Sequence, residues 1–390
     1  MAIPDQAPPF RSWVEQVAGL IGDPVKRLKF LRVAAPFAGI CCEPRRGWRP
    51  RFHRVVLMLC AALAVLITFF LMRATARIAP VIPAAGIGHP VERKHRAISD
   101  VWQVERSGDI EVYSNGLRID DAFAVRYRPR SYLAFPADGA GRPAQLSQPV
   151  GIVFHSTESQ QAPFEAGHNE ALKRIGESLV DYIRRRRSYH FLIDRFGRVY
   201  RVVAESDAAN HAGYSVWADD RWLYVNLNES FLGVSFEAQT SLGHPDEEIT
   251  AAQVRSGVML AEMLRARYRI PAANCVTHAQ VSVNPSNMRV GYHLDWATEF
   301  PFGEMGLPDN YAAALPSLWA FGFEYDPGFL NAIGGEMRAG IESAAKILAR
   351  RAAAAGLRPA AYRKRLQQQY RLRLAAVRRF GSAVDVAQSP

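Results

Sequence analysis

The sequence has little cysteine and no metal motif legible from spacing alone. Four cysteines occur in 390 residues: the adjacent Cys41 and Cys42, Cys60 inside an apolar run, and Cys275 far downstream. A disulfide framework after residue 60 is excluded, and so is a Cys-pair zinc site. Cys41 and Cys42 read as a solvated pair of thiols, with acylation the alternative. No compact H-E-x-x-H pair is present, nor any internal repeat or low-complexity tract. Acidic charge is scarce at both ends. Of the net +11, residues 1–54 carry +6 and residues 331–390 carry +9, which leaves 55–330 near −4. The middle of the chain is therefore not a nucleic-acid binder.

What is present starts with Val55–Met72, eighteen uncharged residues between Arg54 and Arg73. At roughly 1.5 Å per residue it reaches across a thin hydrocarbon core. It begins after fifty residues of other sequence and no A-x-A-like site follows closely, which argues against a cleaved signal. One transmembrane helix is predicted. Arg45, Arg46, Arg49, Arg51 and Arg54 precede it, while only Arg73 and Arg77 follow closely. The positive-inside rule then puts residues 1–54 in the cytoplasm and all that follows Met72 outside it, a single pass through the inner membrane with a periplasmic domain.

Residues 73–95 are rich in Pro, Gly and Ala and read as a linker. Strands are predicted at Ile110–Tyr113, Leu117–Ile119, Ala124–Tyr127, Val150–Phe154, Tyr189–Ile193, Arg198–Val203, Phe231–Ala238 and Val276–Thr277. Helices are predicted at 166–186, with Ala171, Ile175, Leu179 and Ile183 apolar, and at Ala251–Tyr268, with Val254, Val258, Ala261, Leu264 and Tyr268 on one side. The pattern gives an α/β domain, a central mixed β-sheet flanked by helices, over 96–325. That domain is expected to fold alone. A basic helical tail occupies 326–390, where Tyr362, Leu366, Tyr370, Leu374 and Val377 form an apolar stripe. Such a stripe packs on its own protein, or else holds the tail to an anionic envelope surface.

Ten histidines are present. His155 and His278 each follow a strand, His190 starts one, and His293 lies in a loop. Histidines at the C-terminal ends of sheet strands point into the crevice where such folds hold ligands. Imidazoles converging there suit zinc with one position left for water. A single histidine of this kind is more often a satisfied structural residue.

Five blocks then occur in order: GIVFHSTES at 151–159, SYHFLIDRFGRVY at 188–200, NHAGYS at 210–215, NESFLGVSFE at 228–237 and VTHAQVS at 276–282. Together, over about residues 105–325, they resemble the N-acetylmuramoyl-L-alanine amidases shared with phage-type amidases and peptidoglycan-recognition proteins. The resemblance implies a zinc ion (Zn2+) held by two histidines and a third ligand, with His155 and His278 matching the two histidines. The third, usually Asp or Cys in a Lys-x-(Asp/Cys)-Pro-Gly-like turn, is missing from Ser286–Met288, as is the Lys. The shifted Gly291–Trp296 segment supplies His293 as the chosen metal ligand and Asp295 as the alternative.

The same resemblance makes Tyr189 a catalytic residue that assists the water or the oxyanion. Ser235 stands where the cytoplasmic branch has a catalytic Glu, and Glu237, two residues on, either replaces it or is a solvated carboxylate. Arg289, the nearest cation, is the substitute for the missing Lys. His190 and His211 fall in the inner shell or the groove wall. The implied reaction is hydrolysis of the amide between N-acetylmuramic acid and L-alanine in peptidoglycan. The alternative is a wall-binding module without catalysis.

Overall fold

The structure is a computed structural model, and it describes residues 100–240 and 249–387. The segment 1–54, the span Val55–Met72 and the linker 73–95 lie outside these residues. Among the described residues no helix is long and apolar enough to cross a membrane.

Fourteen short strands are described. In chain order they are β1 (Gln103–Ser107), β2 (Ile110–Tyr113), β3 (Arg118–Asp120), β4 (Tyr132–Pro136) and β5 (Ala144–Leu146). Next come β6 (Gly151–Ser156), β7 (Phe191–Ile193), β8 (Val199–Arg201), β9 (Val216–Ala218) and β10 (Trp222–Val225). The last are β11 (Phe231–Phe236), β12 (Cys275–Thr277), β13 (Val283–Asn284) and β14 (Arg289–Val290). Eight form one sheet in the order β1-β2-β3-β8-β7-β11-β6-β12. Its centre, β7-β11-β6-β12, is parallel, and the β1–β3 edge is antiparallel. The predicted mixed sheet is therefore present. A second sheet, β5-β4-β10-β9, is antiparallel. The predicted strand at Ala124–Tyr127 is a single bridge, Val125 to Val203, because the chain leaves the ladder at once.

Two long helices belong to the sheet: α1 (Asn169–Arg186) and α2 (Ala251–Tyr268). In α1 the buried residues are Leu172, Gly176, Val180 and Ile183, a face rotated by one residue from the predicted one. The small Gly176 lets the helix approach the sheet, where Val180 and Ile183 pack with Leu192 and Tyr200. Both helices end on a left-handed arginine, Arg187 and Arg269, a common helix stop. Helix α2 starts with a capping box, in which Thr250 Oγ1 accepts from Gln253 N–H and Gln253 Oε1 accepts from Thr250 N–H. Gln253 also donates to the Ile193 and Glu237 carbonyls, tying the helix start to the ends of β7 and β11.

Alternation along the central strands decides where the site lies. Phe154 and Phe236 face the main core, and Phe154 stacks on Phe300 at 4.5 Å. Their neighbours His155 and Ser235, paired across β6 and β11, therefore face the other side. The tail forms α3 (Gly335–Ala354) and α4 (Pro359–Ala387). Its Leu366, Tyr370, Leu374 and Val377 are buried, and the Tyr370 ring meets Phe323 at 4.9 Å and Phe321 at 6.1 Å. The apolar stripe is thus covered by the chain's own domain.

Candidate metal centre

Two histidines and one aspartate converge where β6 and β12 end. The donor atoms of His155, His278 and Asp295 all lie within 4.8 Å of one another, and all three residues are buried. His155 Nδ1 is 3.2 Å from Asp295 Oδ2, and His278 Nδ1 is 2.8 Å from Asp295 Oδ1.

Each position follows from local sequence. His155 is the fifth residue of β6, on the face opposite Phe154. His278 opens a short helix at the end of β12, where Gln280 Oε1 turns back to accept from Thr277 N–H. Asp295 sits in a loop fastened on both sides. Its carbonyl accepts from Ala279 N–H, and the next residue, Trp296, packs its ring on Phe236 and Phe300. Tyr311 donates its hydroxyl to the Trp296 carbonyl at 2.8 Å.

The electrostatics suit a cation. Burial, reinforced by the neighbouring His278, pulls the His155 pKa down to about 4, so its imidazole is neutral at pH 7. Burial opposes ionisation of Asp295, yet the two histidines hold its carboxyl far below the usual range. Two imidazole nitrogens and one carboxylate are a donor set that suits a catalytic divalent metal with a position left open. The separations of 3.2 and 2.8 Å are near the roughly 3.3 Å between two ligands of a tetrahedral ion at about 2.0–2.1 Å. The residues fit the group.

This changes the order in which the sequence ranks the third ligand. His293 stands outside the three-residue cluster, its ring stacked on His278 at 4.7 Å and its backbone N–H held by Ser282 Oγ. The anchored Trp296 draws Asp295 inward, and His293, two residues earlier, is left at the exposed rim.

Tyr189 is beside the cluster, its ring 5.0 Å from that of His155 and its hydroxyl near Ser235. Its φ of 59° is left-handed, a conformation that costs about 1–3 kcal/mol in a residue of this type and gathers at functional sites. Burial pushes its pKa up, so the hydroxyl keeps its proton. His211 Nδ1 lies 3.1 Å from His155 Nε2. A Cβ on Gly233 would come within 2.6 Å of the His211 ring, so only glycine admits that ring against β11. His190 accepts from Gly233 N–H through Nδ1.

Glu237 and Arg289 are not brought to the cluster. Glu237 accepts from Arg195 N–H at 3.2 Å beside Gly176 of α1, and burial raises its pKa to about 7. Arg289 projects from β14 into solvent and pairs with Asp326 at 2.9 Å, while its neighbour Val290 turns inward. Arg130 had no signal in the sequence. Its buried guanidinium donates to the Glu205, Asp207, Glu229 and Phe231 carbonyls and contacts His190 at 2.7 Å, fastening the chain beneath the site.

Two clefts are present among the described residues, of which the smaller reaches the cluster through His211 and His293. One, of about 450 Å³, includes His211, Tyr214, Ser282, His293 and Arg378 in its walls. The other, of about 660 Å³, starts at Thr157 and Glu158 and includes Arg174 and Tyr182.

Residues 145–289 match the sequence profile of the family described as N-acetylmuramoyl-L-alanine amidase. No curated protein matches the chain significantly. Among solved structures, N-acetylmuramoyl-L-alanine amidase LysC from Clostridium intestinale is 22% identical over 48% of this chain and 93% of its own, with a TM-score of 0.27. The amidase AmiD from E. coli, in complex with an anhydro-N-acetylmuramic acid peptide substrate, is 23% identical over 44% of this chain and 64% of its own, with a TM-score of 0.30. AmpDh3 from Pseudomonas aeruginosa is 20% identical over 50% and 90%, with a TM-score of 0.30.

Proposed function

We propose, from the premise that residues 145–289 belong to the N-acetylmuramoyl-L-alanine amidase family, that this chain is a zinc-dependent hydrolase of peptidoglycan. The bond cut is the amide joining N-acetylmuramic acid to L-alanine. The observation that carries the reading is the convergence of His155 Nδ1, His278 Nδ1 and the Asp295 carboxylate in a buried cluster whose neighbours His211 and His293 line a cleft.

His155, His278 and Asp295 hold the ion, which when bound supplies Lewis acidity to water and to the amide carbonyl. His211, in contact with His155 Nε2, fixes the orientation of that imidazole. Tyr189 keeps its proton and donates to the negative charge that grows on the carbonyl oxygen. His293, stacked over His278 at the mouth of the smaller cleft, is assigned proton transfer to the leaving amine. Glu237 and Arg289 take no direct part, since their partners are Arg195 and Asp326. The domain works outside the cytoplasm, where intact wall lies, beyond the membrane span read from Val55–Met72.

Zinc content and release of free L-alanine amino termini from purified wall test this in the full chain. Asp295→Ala should lose both the metal and the activity, because two ligands do not hold the geometry of three. His293→Ala should keep the metal and turn over more slowly. Zinc retained in Asp295→Ala but lost in His293→Ala would reverse the assignment. A wild-type chain that binds no zinc would sink the enzyme reading.

A further inference from the structure

The smaller cleft has a wall that does not come from the family segment. Arg378 of α4 lines it together with Tyr214, and His211 and His293 connect it to the metal cluster. The guanidinium carbon stands 5.1 Å from the centroid of the Tyr214 ring. Stacking of this kind fixes the plane of the guanidinium and leaves its edge donors free for a planar acceptor.

Arg351 and Arg373 of the tail also stack on aromatic rings, those of Trp319 and Phe135, but neither lines this cleft. Arg363 pairs with Glu324, and Arg289 with Asp326. Arg378 has no ion pair among the described residues, and no Asp or Glu lines the cleft. Its position is also fixed, since Val377 beside it and Leu374 and Tyr370 before it are buried. A single oriented cation in a walled cleft, with Ser215, Ser282 and Asn284 nearby, matches one carboxylate on an extended peptide. A polyanion calls for a run of cations, and the neighbouring Arg379 does not line the cleft.

We propose that Arg378 is a specificity-determining residue whose guanidinium binds a free carboxylate on the peptide side of the scissile amide. The chain then prefers an acidic peptide to the same peptide amidated at that position. This rests on the amidase reading, which places the scissile amide at the cluster and the peptide in this cleft. A guanidinium–carboxylate pair is worth about a tenfold difference in affinity.

The test uses the zinc-loaded full chain and two tripeptides that begin with L-alanine. One carries a free carboxylate on its second residue, and the other is its carboxamide twin. Neither contains the scissile bond, so calorimetry reads binding alone. The wild type should bind the acid about tenfold more tightly, Arg378→Gln should bind both alike, and Arg378→Lys should keep part of the preference. Arg379→Gln should keep all of it. Equal binding of the twins by the wild type, or a preference that survives in Arg378→Gln, overturns the proposal. Loss of the preference in Arg379→Gln as well also overturns it, because general surface charge then accounts for the effect. Hydrolysis of the corresponding muramoyl peptide is scored separately. A preference without hydrolysis refutes the amidase reading and leaves the Arg378 site standing, whereas hydrolysis without a preference does the reverse.

Discussion

Tyr189 carries left-handed backbone strain with no glycine or asparagine to relieve it. The strain persists because the preceding helix ends on Arg187 and the following His190 is fixed to Gly233 on both sides of its backbone and ring. What the strain maintains is a protonated phenol against His155. Tyr189→Phe is expected to keep its zinc and lose about 10²-fold in turnover, the order found when one preorganised donor is removed. Wild-type turnover in that variant would make Tyr189 a packing residue. Tyr189, His155 and His278 were legible because each sits in a strand-linked block where residue order fixes direction. Asp295 and His293 were not separable, since both stand in an irregular loop. The Trp296 ring packed on Phe236 of β11, which decides between them, acts across the fold.

Strand β11 shows what alternation does and does not determine. It places Ser235 and Glu237 on one face, as the sequence implies, but Glu237 stands past the end of the ladder, where α1 and the β7–β8 turn enclose it. The second sheet was missed altogether, because β4, β5, β9 and β10 have three to five residues each and lack a period long enough to read. Enclosure of Glu237 has a measurable sign. Its folded pKa of about 7 exceeds that of a free Glu, near 4.3, so the folded state holds the extra proton between those values. Stability therefore falls as pH rises from about 4.5 to 7, by up to roughly 3 kcal/mol, and the loss persists above that. Glu237→Gln removes the titrating group. Denaturant midpoints of the two proteins should converge at pH 4.5 and separate by pH 8, with the variant the more stable. Parallel pH profiles would show that Glu237 is ionised throughout.

At the scale of the whole molecule, the tail is part of the folded domain. The sequence pattern by itself implies that residues 96–325 fold alone. Yet α4 covers Phe321 and Phe323, and Gly322 lies so close to Arg363 that a Cβ there would meet its carbonyl at 2.7 Å. Helix α3 adds the buried Met337, Ile341 and Leu348. Each such side chain contributes about 1.5–3 kcal/mol of transfer free energy, less the entropy of ordering it. A 95–325 fragment is expected to melt roughly 10 °C or more below a 95–390 fragment. Coincident thermal transitions would show that the helices add nothing.

The loop that carries Asp295 also bears on transplantation. The stretch that matches the family ends at residue 289, six positions before the aspartate that completes the cluster, and the arginine wall of the smaller cleft, Arg378, lies later still. A chimera that borrowed only residues 145–289 would inherit two histidines and a half-built pocket. The smallest heritable cassette of this protein is therefore longer than its recognisable signature, and recombination within residues 290–378 would separate the reaction centre from the surface that selects its substrate.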